Sequence, residues 1–256
     1  MTDSPASSIR RLPPETVNRI AAGEVVERPA SVVKELVENA LDAGAKSIEI
    51  VIEGGGRRSI VITDDGKGMS RDELLLCVER HATSKLAPSE DGSWDLLNIA
   101  TMGFRGEALP SIGSVARLNI ISQIHNDESA WEPSVHGSDQ MPLRPAPRTG
   151  LSGTRMEVRD LFYATPARLK FLKTERSESM AISDVVKRLA MSRPDVGFTL
   201  SQNGRASLRV AAGNSGADSV GVSGSDDARL SRLSAILGAD FEANALAIDS
   251  ERENIR

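Results

Sequence analysis

A single cysteine, Cys77, stands in a chain of 256 residues. It cannot form an intramolecular disulfide, and it leaves no cysteine-rich zinc site. It lies in the apolar run Leu74-Leu75-Leu76-Cys77-Val78, which predicts a buried structural thiol rather than a nucleophile. Histidine is nearly as scarce, and His81, His125 and His136 show no metal-ligand spacing. No apolar stretch approaches the ~20 residues a membrane helix needs, so no membrane partner is expected. Residues 1–10 are polar and lack the apolar segment of a secretory signal, which makes a cytoplasmic location the expectation. No Gly-x-x-x-x-Gly-Lys-Ser/Thr run occurs, so a P-loop mechanism has no support. Cations are not in excess either: 31 Lys and Arg against 36 Asp and Glu leave a net charge of −5. That balance argues against a surface coated for nucleic acid, while local basic patches remain open.

What is present is a globular composition, 39% hydrophobic, in a length that suits one large domain or two small ones. Pro13-Pro14-Glu15 opens a short helical stretch through Ile20, and Ala22-Gly23-Glu24 ends it. Ser31 reads as the N-cap of a helix to Ala43, with Val33, Leu36, Val37, Ala40 and Leu41 at helical spacing and Gly44 as the stop. Ser47 to Glu53 and Ser59 to Thr63 are β-branched runs joined by Gly54-Gly55-Gly56, an antiparallel hairpin. A helix is predicted from Arg71 to about Arg80, a polar segment from Thr83 to Asp95, a short helix ending at Ile112 and a strand from Arg117 to Ser122. Residues 125–148, punctuated by four prolines, read as irregular or an edge strand.

Thr154 to Val158 is a strand, and Pro166 starts a helix. Ser179 to Met191 is an amphipathic helix, and Phe198 to Val210 a hairpin turning at Asn203-Gly204. Residues 213–227, rich in Gly, Ser and Asp, read as a flexible loop or linker. A helix near Leu230–Leu237 and a strand near Ala245–Ile248 follow. The pattern predicts an α+β fold, a mixed and mostly antiparallel sheet covered by helices. The division is 1–212 as one domain, 213–227 as linker and 228–256 as the start of a second.

The helix from Ser31 carries Glu35, Glu38, Asn39 and Asp42 on one side, at spacings of three and four. This is a solvated surface face or a functional one. Glu38 and Asp42 repel at i, i+4, and the face offers them no cation, which suits a side that meets a divalent cation or ordered water. Asn39 has a neutral oxygen for Mg²⁺, which usually keeps waters and borrows phosphate oxygens. Glu35, one turn away, could orient or deprotonate a water in line with a terminal phosphate. In the loop Asp64-Asp65-Gly66-Lys67-Gly68-Met69, the glycines permit φ > 0 and close approach to a flat ligand, while the carboxylate can accept from an exocyclic amine. Gly103-Phe104-Arg105-Gly106 precedes a helix whose N–H groups could cradle phosphates, or is a plain loop-to-helix junction. Thr83-Ser84-Lys85 adds two hydroxyls and a cation.

The wording of several runs goes further. Ile20 to Val26, Glu35-Leu36-Val37-Glu38-Asn39 with Asp42 to Ala45, Asp65 to Met69, Arg80-His81-Ala82-Thr83-Ser84-Lys85, Gly103-Phe104-Arg105-Gly106-Glu107-Ala108-Leu109, and Asp160 to Arg168 resemble the MutL family of mismatch-repair proteins, in that family's order, over about residues 10–200. Their wider relatives are the GHKL ATPases (gyrase B subunits, the large heat-shock chaperone, sensor histidine kinases). These share the asparagine-bearing helix and the Asp-x-Gly-x-Gly loop alone.

The resemblance implies the two-layer Bergerat fold and a slow, ATP-hydrolysing enzyme that uses Mg²⁺. Glu35 would be the general base and Asn39 the Mg²⁺ contact. Asp64 would accept from the adenine amino group, with Gly68 and Met69 lining the base pocket and Thr154 beneath the ring. Thr83, Ser84 and Lys85 would lie along the lid near ribose and phosphates. Gly103, Phe104, Arg105, Gly106, Ala108 and Leu109 would close over the triphosphate. Implied partners are a second copy on ATP binding, through the Ile20–Val26 arm, the mismatch-recognition protein MutS, and DNA without sequence preference. For DNA, residues 155–176 carry six basic residues (Arg155, Arg159, Arg168, Lys170, Lys173, Arg176) against three acids (Glu157, Asp160, Glu175), which is also compatible with a solvated helix. The sequence ends at Arg256, near where the family's second domain begins. A lysine from that domain, reaching the terminal phosphate, has no counterpart in it, nor has the family's endonuclease motif. The expectation is ATP binding that exceeds turnover, or a binding module with negligible turnover, and no DNA cleavage.

Overall fold

Alternation decides the sheet. In β1 (Ser47–Glu53) Ile48, Ile50 and Ile52 are buried while Ser47, Glu49 and Glu53 face solvent, so one face of the strand meets a core. The computed structural model describes residues 9–86, 94, 101–103, 105–137, 139–147, 150, 152–213 and 223–246. In chain order these form α1 (Pro14–Val25), α2 (Pro29–Asp42), β1, β2 (Ser59–Asp64), α3 (Arg71–Leu76), α4 (Ala108–Val115), β3 (Arg117–Gln123), β4 (Ala130–His136) and β5 (Asp139–Ala146). There follow β6 (Gly153–Arg159), a 3-10 helix (Pro166–Phe171), α5 (Glu175–Ser192), β7 (Gly197–Gln202), β8 (Arg205–Val210), α6 (Ser223–Leu237) and α7 (Ala239–Asn244).

The eight strands make one sheet in the order β5-β4-β3-β6-β2-β1-β7-β8. β1 pairs with β7 in parallel, and the remaining neighbours are antiparallel. This is the predicted α+β, mostly antiparallel architecture. α2 turns Val32, Val33, Leu36, Val37, Ala40 and Leu41 into the core, where each large aliphatic side chain contributes ~1.5–3 kcal/mol through burial. Beneath it lie Ile48, Ile50, Ile60 and Ile62 of the central strands.

Several elements differ from their sequence reading. α1 runs on through Gly23 to Val25, because the helix packs on α4 and the Arg168 guanidinium lies against Gly23 while donating to the Val26 carbonyl at 3.0 Å. α2 starts at Pro29, two residues before Ser31, and its N-cap, Arg28, has no side-chain capping bond. Proline at N1 supplies the preset φ instead. Arg28 reaches Glu178 of α5 at 2.9 Å. α3 stops at Leu76, well short of Arg80. Its start is fixed by a capping box in which Ser70 Oγ accepts from the Glu73 N–H and Glu73 accepts from the Ser70 N–H.

Within 125–148, read as irregular or an edge strand, residues 130–136 and 139–146 form the β4–β5 hairpin, bulged between Glu132 and Ser134, with β5 as the edge strand of the sheet. The bulge absorbs Pro133, and Pro142 and Pro145 sit on the outermost strand, where a missing N–H costs no ladder bond. The helix at Pro166 is 3-10 rather than α, and α5 begins at Glu175, four residues before Ser179. Of the segment predicted as a linker, 214–222 lie outside the described residues, and the chain is helical from Ser223. α6 packs on α5 and β8, where buried Arg232 donates to the carbonyls of Pro194, Val196 and Ala211. Ala245 and Leu246 carry no strand, and Ala247 and Ile248 lie outside the described residues.

Candidate functional site

A cavity of about 760 Å³ opens between α2, the loop after β2, the segment 82–85 and the turn before α4. α2 positions its wall. The helix buries one side and so presents Glu35, Glu38, Asn39 and Asp42 to the cavity. Burial raises the pKa of Glu35 from its ordinary value, opposed in part by Lys34 at 3.7 Å.

The polar face of α2 is not short of cations, as its sequence suggested. Lys34 Nζ meets Glu38 at 2.9 Å. Lys85 Nζ donates to Asn39 Oδ1 at 2.7 Å and to Asp42 Oδ2 at 2.5 Å. Lys85 comes from 43 residues away in sequence, so helical spacing could not reveal it.

The loop after β2 is pinned at each residue that matters. Asp64, 8% exposed, accepts from the Gly66 N–H at 2.9 Å. Burial pushes its pKa up to about 6, against the pull of the Gly66 and Thr154 N–H groups. Asp65 accepts from the N–H groups of Lys46 and Ser47 at 2.7 and 2.8 Å, and the Lys67 N–H donates to Ala43. Of the two glycines, Gly68 alone has a positive φ, +70°. A Cβ there would stand 2.0 Å from the Gln123 carbonyl oxygen. The Met69 N–H ends the loop on Ser122 Oγ at 2.9 Å.

Thr154, the second residue of β6, stands opposite Asp64 of β2 and lines the cavity with Met156. Thr83, Ser84, Lys85, Gly103, Arg105, Gly106, Ala108 and Leu109 also line it, whereas Phe104 lies outside the described residues. The His81 N–H donates to the Gly106 carbonyl at 3.1 Å, which clamps the segment 82–85 to the turn before α4. The structure thus brings together every described residue singled out from the sequence. It adds Met156 in the lining and Ser122, which holds the Met69 N–H. Ser122 is an unremarked strand serine, and no local pattern marks it.

Cys77 is half-buried at the cavity wall, and its thiol pKa is pushed up to about 12 by burial, so it is a poor nucleophile. The basic stretch 155–176 is not one free surface. Arg159 pairs with Glu157 at 2.6 Å, and Arg168 is spent on the Val26 carbonyl and the Phe162 ring. No helix among the described residues is long and apolar enough to cross a membrane.

Among the described residues no three His, Cys, Asp or Glu side chains cluster for a metal. Asn39 Oδ1 nonetheless holds a cation, the Lys85 ammonium, beside the Asp42 carboxylate. An oxygen donor of this sort fits Mg²⁺, which needs few protein ligands when phosphates and waters supply the rest. A cavity of this size, lined by a buried carboxylate, the glycine loop after β2 and the hydroxyl-bearing Thr83 and Ser84, fits a nucleotide.

Residues 27–143 match the model of the histidine kinase-, DNA gyrase B- and HSP90-like ATPase family. The chain is 56% identical over 248 residues, 97% of its length, to the DNA mismatch repair protein MutL of Caulobacter vibrioides (strain NA1000 / CB15N). It is 58% identical over 247 residues to that of Rhodopseudomonas palustris (strain HaA2). It spans 38% and 39% of those relatives. Among solved structures it resembles the Aquifex aeolicus MutL ATPase domain complexed with ADP, with TM-score 0.64 and 29% identity over 83% of this chain and 70% of that one.

Proposed function

The chain belongs to the MutL family of DNA mismatch repair proteins, and from that premise we propose that its cavity binds ATP with Mg²⁺ and hydrolyses it slowly. One observation carries this reading. Four separate stretches of sequence converge on a single cavity lined by a buried carboxylate, Asp64, and a half-buried one, Glu35.

In this reading Asp64 accepts from the adenine amino group, with Gly68 and Met69 against the base and Thr154 beneath it. Asn39 contacts Mg²⁺. Thr83, Ser84 and Lys85 lie along ribose and phosphates, and Gly103 to Leu109 close over the triphosphate. When bound, Mg·ATP supplies the electrophilic terminal phosphoryl group. Glu35 Oε takes the proton of the attacking water, and its raised pKa brings it nearer to a base effective at neutral pH. Closure of the cavity by the turn before α4 excludes other water.

The α1 arm, with Val17 and Ile20 exposed, would meet a second copy when ATP is bound. MutS and DNA bound without sequence preference would be this chain's partners. The test is calorimetric titration with ADP and Mg²⁺, followed by phosphate release from ATP. Binding at micromolar concentrations with turnover below one per minute is the expected pair of results. Binding with no release would leave a nucleotide-responsive module, and absence of binding would end the reading.

A further inference from the structure

Asp42 joins three parts of the chain that are distant in sequence. Its Oδ2 holds the Lys85 ammonium at 2.5 Å, and its two oxygens accept from the Met102 and Gly103 N–H groups at 3.2 and 3.4 Å. The Asp42 side chain is 11% exposed and that of Lys85 19%, so the pair is largely withdrawn from water. The same ammonium donates to Asn39 Oδ1. Asp42 ends α2, Lys85 ends the segment 82–85 clamped at Gly106, and Met102-Gly103 begin the turn that leads into α4.

We propose that Asp42 is a relay: Lys85 and a divalent cation compete for Asn39 Oδ1, and Asp42 reports the outcome to the Met102–Gly103 backbone. The proposal rests on the reading of Asn39 as the Mg²⁺ contact. Mg²⁺ binds oxygen at ~2.0–2.1 Å and tolerates little distortion. An ammonium 2.7 Å from that same oxygen would stand within a few ångströms of a doubly charged ion, with little water between to screen them. The two cations exclude each other. When Lys85 leaves, Asp42 loses the ammonium in contact with it and keeps the longer-range attraction of Arg193, and a mostly buried carboxylate with less compensation is unfavourable. The groups left in contact with it are the two N–H donors now at 3.2 and 3.4 Å, long for bonds to a carboxylate. The carboxylate draws them in. Cation binding at Asn39 is thereby converted into a tighter seat for the start of the turn that lines the cavity. Asp42 acts through the loop, and is a positioning residue rather than a catalytic one.

The test reads amide hydrogen exchange over residues 101–103 in wild type and Asp42→Asn, each alone, with ADP and EDTA, and with ADP and Mg²⁺. ADP affinity is titrated in the same buffers. In wild type, Mg²⁺ should slow exchange at Met102 and Gly103 at least fivefold beyond ADP alone. Asp42→Asn removes the charge but keeps the shape and Asn39. It should still bind ADP more tightly with Mg²⁺, while exchanging those amides about tenfold faster and losing the Mg²⁺-specific slowing. Wild-type exchange indifferent to Mg²⁺ while ADP affinity responds overturns the relay alone, whether or not the variant folds. So does a folded Asp42→Asn that matches wild type. ADP affinity indifferent to Mg²⁺ in wild type overturns the reading of Asn39, and the relay with it.

Discussion

The hydroxyls of Ser122 and Thr154 lie 2.8 Å apart on adjacent strands, and through them the glycine loop is tied to the cavity lining. Ser122 Oγ accepts from the Met69 N–H and donates to the Gly153 carbonyl at 3.1 Å, leaving Thr154 as donor to Ser122. Ser122→Ala would leave the Met69 N–H without its acceptor, a loss of ~1–3 kcal/mol. Chemical denaturation should show that loss, with ADP affinity reduced several-fold. A variant with wild-type stability and affinity would remove Ser122 from the account.

Glu35→Gln should lower phosphate release by at least ~100-fold and change ADP affinity little, since general-base assistance contributes ~10²–10⁴. The wild-type rate should fall as the pH drops through the pKa of Glu35, which burial raises from its ordinary value. Loss of binding together with turnover would show Glu35 to be a ligand contact instead.

Asn39→Ala should abolish the gain in ADP affinity that Mg²⁺ confers, while leaving binding in EDTA within a few-fold of wild type. Titrations with and without the cation decide this, and a variant that keeps the full Mg²⁺ gain would put the metal contact elsewhere.

Asp64 stabilises the fold most when protonated. Its native pKa of about 6 lies above the ordinary 3.8, so its contribution is fully present below 3.8 and is lost as pH rises through about 6. The gap corresponds to roughly 3 kcal/mol at ~1.4 kcal/mol per pH unit. Asp64→Asn should therefore be more stable than wild type at pH 7, by up to a few kcal/mol, with the advantage fading below pH 4. It should also bind ADP more weakly. Thermal unfolding at pH 7 and pH 4 gives the comparison, and equal differences at both values would count against a buried charge.

Gly68→Ala places a Cβ 2.0 Å from the Gln123 carbonyl oxygen and strains a φ of +70°. Either the loop or β3 must move. A stability loss of ~2 kcal/mol or more and a tenfold weaker ADP affinity are expected. Denaturant melts and titration of the same sample measure both.

The legible part of this molecule was the part written locally. The core side of α2 follows from Val33, Leu36, Val37, Ala40 and Leu41, and the β1–β2 hairpin from its β-branched runs around three glycines. Sequence also singled out Asn39, Asp64 and Gly68 as chemistry. What it hid depends on partners far along the chain. Lys85 relieves Asp42, and Arg168 lets α1 continue past Gly23. Neither leaves a periodic trace. The N-cap reading of Ser31 failed for a different reason: a proline at N1 starts a helix without any side-chain cap.

The sheet order also bears on when the cavity comes into being. β6 lies between β2 and β3, so residues 153–159 must insert between strands made some ninety and some thirty residues earlier. A chain growing from the ribosome would carry Glu35, Asn39, Asp64 and Lys85 well before it could supply Thr154 beneath Asp64. Pairings this distant form late and close slowly. The pocket is thus absent from the nascent chain until its middle strand arrives, and nucleotide lacks a complete site to grip until residues 153–159 have been made.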